Sequence, residues 1–134
     1  MRLLEGIIVP IVIPFNQGSA LDLAALRHLA SHLVDMGVQG IFPCGSQGEF
    51  HVMSLDERKR VLEAVIDEVA ARVPVVAHTG AITTADAIDL TKHAAAAGAE
   101  AVAVIAPYYI KPSNEELYRH FMAVAECTDL QILA

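Results

Sequence analysis

The sequence predicts an α/β fold built on a buried parallel sheet covered by helices. Short apolar stretches alternate with amphipathic helical stretches four times, and a fifth apolar stretch follows. Helix-start signals at Asp22, Ser54, Thr84 and Ser113 recur at roughly 30 residues, the size of a βαβ unit. The apolar stretches show no alternation with polar residues, the pattern of strands buried on both faces. Two architectures fit. One is a doubly wound open sheet; the other is an arc of a (β/α)8 barrel, which needs ~250 residues when complete.

Ile7 to Phe15 is almost continuously apolar and forms the first expected strand, with Pro10 and Pro14 at its limits or at an irregularity. Asn16-Gln17-Gly18-Ser19 is a turn. Asp22 is the expected N-cap of a helix that carries Leu23, Leu26, Leu29, Ala30, Leu33 and Val34 at helical spacing and closes at Gly37. His28 and His32 share a face of it. No third ligand stands near them in sequence, so they read as a solvated face rather than half of a metal site.

Gly40 to Cys44 is the second strand. Ser54-Leu55-Asp56-Glu57 is a capping box, and its helix should run to about Arg72 with Val61, Leu62, Val65, Ile66 and Val69 inward. Pro74 opens a third strand, Val75 to His78, which Thr79-Gly80 turns. Thr84 caps a third helix with Ala87, Ile88, Thr91, Ala94 and Ala95 on one face, ending at Gly98. Ala101 to Ala106 is the fourth strand, followed by the rigid aromatic loop Pro107-Tyr108-Tyr109-Ile110-Lys111-Pro112. Ser113-Asn114-Glu115-Glu116 is a second capping box. It opens a helix with Leu117, Phe121, Val124 and Ala125 facing in, and Leu130 to Ala134 begins a fifth strand.

The composition narrows the function classes. Hydrophobic residues make up 54% of the 134 and aromatics only 5%, with no Trp, which describes an aliphatic interior rather than an aromatic binding surface. The net charge of −7 is spread along the chain and argues against nucleic acid or an anionic membrane surface as partner. Cys44 and Cys127 are far apart and lack metal or CxxC spacing, so both read as buried or half-buried thiols in a reducing compartment. Met1-Arg2-Leu3-Leu4-Glu5-Gly6 does not read as a signal peptide, and the apolar runs are far shorter than a membrane span. These features predict one cytoplasmic domain with no metal and no cofactor.

In either architecture the chemistry belongs at the C-terminal ends of the strands. Those ends are Phe15, Gly45 to Glu49, His78 to Gly80 and Pro107 to Lys111, where polar and aromatic residues interrupt an apolar chain. In Gly45-Ser46-Gln47-Gly48-Glu49 two glycines flank two polar residues between a strand and a helix. Glycine permits positive φ and close approach of a ligand, and successive turn amides make a positive concavity. An ordinary strand-to-helix connection has the same spacing. The first strand leads into Pro14-Phe15-Asn16-Gln17-Gly18, not GxGxxG, so dinucleotide binding is not indicated.

Gly45-Ser46-Gln47-Gly48-Glu49, Pro107-Tyr108-Tyr109-Ile110-Lys111-Pro112-Ser113 and Leu117-Tyr118-Arg119-His120-Phe121 together resemble the dihydrodipicolinate synthase / N-acetylneuraminate lyase family. Pro14-Phe15 and Val75-Val76-Ala77-His78-Thr79-Gly80 also match, so the resemblance covers essentially the whole chain. It implies a partial (β/α)8 barrel of about four βα units plus the start of a fifth strand. It also implies chemistry on pyruvate or another 2-keto acid through a Schiff base on a lysine, without a metal.

The resemblance places the carboxylate of the keto acid on backbone amides of Gly45, Ser46, Gln47 and Gly48. It makes Ser46 the hydroxyl that passes protons between two tyrosines. Tyr109 is one of these, at a subunit interface of a homo-oligomer. Gln47 departs from the family's second hydroxyl residue, losing a side-chain contact but keeping its N–H. His78 stands where some members carry a small residue and others, nearer the sialic-acid lyases, a histidine. Glu49 is expected to order its own loop. The second tyrosine, an arginine used on a substrate carboxylate and the Schiff-base lysine would all follow Ala134.

The lysines present, Lys59, Lys92 and Lys111, fall in helices or the aromatic loop, so these residues alone are expected not to turn over. Half a barrel also leaves open sheet edges and an uncovered wall. The alternatives to an aldolase-type enzyme are a non-catalytic 2-keto-acid-binding or assembly module, and a small anion- or phosphate-binding α/β domain.

Overall fold

The computed structural model describes residues 4–134; the opening Met1-Arg2-Leu3 of the segment compared above with a signal peptide lies outside the described residues. The elements are β1 (Ile8–Pro10), α1 (Leu23–Asp35), β2 (Gly40–Phe42), α2 (Leu55–Val69), β3 (Val76–His78), α3 (Thr84–Ala97), β4 (Ala101–Ala103), α4 (Asn114–Ala125) and β5 (Gln131–Leu133). Two 3-10 turns, Ser46–Gly48 and Phe50–Val52, lie between β2 and α2.

All strand pairs are parallel: β1 with β2, β3 with β4, and β4 with β5. A parallel bridge between Ile41 and Val75 joins β2 to β3, with the Ile41 amide donating to the Pro74 carbonyl at 3.0 Å. Spatial order therefore follows chain order from β1 to β5. A doubly wound sheet reverses its strand order part-way; this one does not, and it is the arc of a (β/α) barrel.

The strands are shorter than the apolar runs. Proline has no N–H to give a ladder, and β1 ends at Pro10. Phe15, expected in the same strand, instead makes an antiparallel bridge with Leu21, while the Asp22 amide donates back to the Pro14 carbonyl at 2.9 Å. The predicted turn lies inside that loop: Asn16 Oδ1 accepts from the amides of Gly18 (2.9 Å) and Ala20 (3.1 Å). β2 ends at Phe42, and β4 ends at Ala103 before a loop that leads to the aromatic segment.

The helix signals hold with small corrections. Asp22 accepts from the Ala25 amide, and both capping boxes at Ser54 and Ser113 are closed in both directions. The third helix is capped by Thr83, whose hydroxyl accepts from the Asp86 amide, while Thr84 Oγ1 lies 2.9 Å from Nδ1 of His120. α2 stops at Val69 rather than near Arg72, because Ala70 and Ala71 turn left-handed at φ 48° and 59°. Ala95 and Ala125 face outward, each one step past the stripe it was assigned to. His28 and His32 are both exposed on α1.

Helices and sheet close on an aliphatic core. Leu26, Ala30, Ile41, Val61, Val65, Ala87, Ala94, Val102 and Val124 are essentially inaccessible. Each large apolar side chain buried this way contributes roughly 1.5–3 kcal/mol before the entropy of ordering is charged against it. A buried Thr91–Thr79 hydrogen bond of 2.9 Å fastens α3 to the residue just after β3. β3 is buried throughout, whereas the outer strand β5 is at most half-buried.

Candidate functional site

A cavity of about 290 Å³ opens at the C-terminal ends of the strands. It is lined by Phe42, Gly45 and Ser46 after β2, His78 at the end of β3, Val104 and Ile105 after β4, and Leu133 and Ala134 at β5. The turn predicted to bind an anion is thus on its wall.

The conformation of that turn differs from the expectation in one respect. Gly45 has φ −74°, and Gly48 has no positive φ either; the left-handed residues are Cys44 (φ 59°) and Glu49 (φ 51°), just outside the glycines. Gly48 is needed for space instead, since a Cβ there would sit 3.1 Å from the Ile11 carbonyl oxygen and from Ile13 Cγ1. Within the turn the Gly48 amide donates to the Gly45 carbonyl (3.0 Å) and the Glu49 amide to the Ser46 carbonyl (3.1 Å). The amides of Ser46 and Gln47 find no acceptor among the described residues. Both residues are exposed, as is Glu49, whose contribution to the loop is its left-handed backbone.

Cys44 is buried and its thiol is pushed up to about 12 by burial, opposed by the nearby Arg58 cation. It is a packing residue, not a nucleophile. Cys127 is half-buried and free.

His78, on the cavity wall, is held by a residue that the sequence reading did not single out. Arg58, on α2, is 4% exposed. Its Nη1 donates to the Gly80 carbonyl (3.0 Å), and its Nη2 to the His78 carbonyl (2.9 Å) and to His78 Nδ1 (3.3 Å). Its guanidinium lies 5.1 Å from the centre of the Phe50 ring. The signal was available: Arg58 precedes Val61 and Leu62 by one helical turn and so continues the buried stripe of α2.

His78 is held edge-on against Phe50 and Phe42, at ring distances of 4.4 and 5.9 Å. Burial, and secondarily the Arg58 cation, push its pKa down to about 4, against a hydrogen bond with the Cys44 backbone that raises it. The imidazole is therefore neutral at physiological pH. A depressed folded-state pKa contributes stability that is fully present above the unfolded value of about 6.5 and is lost as pH falls toward 4. We expect unfolding free energy to drop by about 3 kcal/mol across that window from this group. Urea melts of the wild type and of His78→Phe at several pH values check this, and the drop should be absent from the variant.

Tyr109, expected at a subunit interface, is 95% exposed with φ 79° and does not line the cavity of its own chain. Tyr108 turns inward instead and packs edge-on against Phe50 at 5.7 Å. The lysines are where the sequence put them. Lys59 on α2 pairs with Asp89 at 2.7 Å, Lys92 on α3 is exposed, and Lys111 is exposed in the aromatic loop. None reaches the cavity. Among the described residues no helix is long and apolar enough to cross a membrane.

Residues 3–133 match the model of the Dihydrodipicolinate synthetase family. The chain belongs to that family. The 4-hydroxy-tetrahydrodipicolinate synthase of Syntrophus aciditrophicus (strain SB) is 47% identical over 129 residues, which is 96% of this chain and 44% of the relative. Among solved structures, dihydrodipicolinate synthase from Aquifex aeolicus superposes with a TM-score of 0.93 at 37% identity, covering 96% of this chain and 44% of that one. YagE from Escherichia coli K12, a prophage protein of the dihydrodipicolinic acid synthase family solved in complex with pyruvate, superposes with a TM-score of 0.94 at 39% identity, covering 98% of this chain and 44% of its own. The chain thus spans less than half the length of these family members, and its five strands form the corresponding part of their fold.

Proposed function

We propose that the Gly45–Gly48 turn holds the carboxylate of pyruvate or a related 2-keto acid for aldolase-type lyase chemistry. The observation that carries this reading is the pair of unsatisfied amides at Ser46 and Gln47, on a turn that walls the cavity at the strand ends. Two backbone N–H groups are a suitable cradle for a small carboxylate, and the pyruvate complex of a relative 39% identical to this chain supports the ligand class. Ser46 adds a hydroxyl at the cavity wall, able to accept a proton from one neighbour and donate one to another.

The covalent step in such chemistry joins a lysine amine to the keto carbon, with loss of water. The resulting cationic imine accepts the electron pair left when an adjacent C–C or C–H bond breaks. None of the lysines here supports that step. Lys59 is held by Asp89, and Lys92 and Lys111 lie outside the cavity.

We therefore expect these 134 residues, treated with pyruvate and borohydride, to show no change in intact mass. A stoichiometric adduct at one lysine would overturn that part of the proposal. The high exposure of Tyr109 (95%) and Ile110 (76%) favours a role for the aromatic loop at a contact between subunits, with Tyr109 serving the Ser46 of another copy. The same exposure fits a non-catalytic assembly module. Calorimetry with pyruvate separates the readings when run beside an activity assay of the assembled protein: heat of binding with no turnover favours the module.

A further inference from the structure

Arg58 is nearly fully buried, yet among the described residues no carboxylate accepts from it; its acceptors there are two backbone carbonyls and one imidazole nitrogen. Removing a cation from water is costly unless its donors find good partners. A guanidinium has five N–H donors and no acceptor. The contact between Arg58 Nη2 and His78 Nδ1 therefore requires a lone pair on Nδ1. The neutral ring must then carry its proton on Nε2. Phe42 and Phe50 fix the plane of the ring, but neither can choose its proton. Arg58 can.

Cys44 lines the same small cavity as His78 and Arg58, and its backbone raises the pKa of the imidazole. Cys44 is a non-glycine residue at φ 59°, a conformation that persists only where its surroundings hold it. Its Sγ also lies 4.0 Å from the Arg58 carbonyl oxygen. Cys44 is the residue immediately before the turn, so its backbone angles set the direction in which the Ser46 and Gln47 amides point. Arg58 and His78 thus bear on one left-handed hinge from α2 and from β3.

We propose that Arg58 is a positioning residue: it fixes His78 as the Nε2–H tautomer, and through His78 and Cys44 it aims the amides of Ser46 and Gln47. The value of that aim to a ligand rests on the carboxylate reading above, but the tie itself does not.

The test uses the ligand-free chain, isotope-labelled, with imidazole nitrogen and backbone amide spectra at neutral pH. The wild type should show His78 with a bare Nδ1 and a protonated Nε2. In Arg58→Met the two tautomers should mix, and the Cys44 to Gln47 amides should shift. Arg58→Lys keeps a donor-only cation and should restore much of the wild-type tautomer. His78→Phe keeps a ring between Phe42 and Phe50 without its nitrogens. It should shift the same amides, and adding Arg58→Met should move them little further.

A proton on Nδ1 in the wild type overturns the proposal. So do Cys44 to Gln47 amides that stay in place in His78→Phe, which decides the matter even if Arg58→Met fails to fold. Pyruvate is added last. A protein with the tie as described that ignores pyruvate removes the ligand reading and leaves this one standing.

Discussion

Gly80→Ala should destabilise the protein by about 3 kcal/mol, near the upper end of what overpacking usually costs, and lower its melting temperature by on the order of 10 °C. Gly80 follows β3 at the site and has no positive φ, so its requirement is space alone. A Cβ there would lie 2.5 Å from Ile105 Cγ2, 2.7 Å from the Ile105 backbone nitrogen and 3.1 Å from His78 Nε2. A side-chain tip can rotate away; a backbone nitrogen just past β4 cannot move without the strand end moving too. The Gly80 carbonyl is also an acceptor for buried Arg58, so displacement would strain a second contact. Thermal melts followed by far-UV circular dichroism check the value. A loss below 0.5 kcal/mol, the range of ordinary surface substitutions, would mean that the ends of β3 and β4 are less tightly packed than described.

Ser46→Pro should leave the fold intact and weaken pyruvate binding by about tenfold or more, the value of one hydrogen bond to a charged group. The substitution suits the backbone. Ser46 is the first residue of a 3-10 turn, where the usual φ of −50 to −70° is that of proline. Gly45 before it is extended, at φ −74° and ψ −169°, as a residue preceding proline should be. The Ser46 amide has no acceptor among the described residues, so no internal hydrogen bond is lost with it. Ser46→Ala is the control: it removes the hydroxyl and keeps the amide. Calorimetric titration of both variants should show the large loss in the proline variant only. Equal affinities for proline and alanine would remove the Ser46 amide from the carboxylate site.

The sequence made the architecture legible because each helix carries its own start signal. Ser54 with Glu57 and Ser113 with Glu116 are visible as capping boxes in four letters each, and both close in the structure. Strand ends were less legible, since an apolar run marks burial and not pairing. Ile11 and Ile13 are buried without belonging to β1, and Phe15 pairs with Leu21 across a turn. Thr83 and Thr84 are adjacent and equally able to cap; the choice depends on His120, a helix away, which takes the hydroxyl of Thr84.

At the site, the position of the turn is legible in the sequence but its mechanics are not. Two glycines suggest positive φ, which falls on Cys44 and Glu49 instead; what Gly48 supplies is small size against Ile11 and Ile13. A charge usually marks a solvated face, which hides Arg58 in the sequence, although helical periodicity places it on the buried one. Which of the adjacent Tyr108 and Tyr109 packs inward is not legible in the sequence. The backbone turns left-handed at Tyr109, and it is Tyr108 that packs inward against Phe50.

The central claim is that the Gly45–Gly48 turn is the keto-acid carboxylate site. The most direct measurement is a pyruvate titration of the labelled chain, followed through its backbone amide resonances. Saturable shifts should centre on Ser46 and Gln47, with smaller ones at Gly45 and His78 across the cavity. Saturable binding whose largest shifts lie elsewhere, or no shift at Ser46 and Gln47 at pyruvate concentrations that saturate binding by calorimetry, would contradict it.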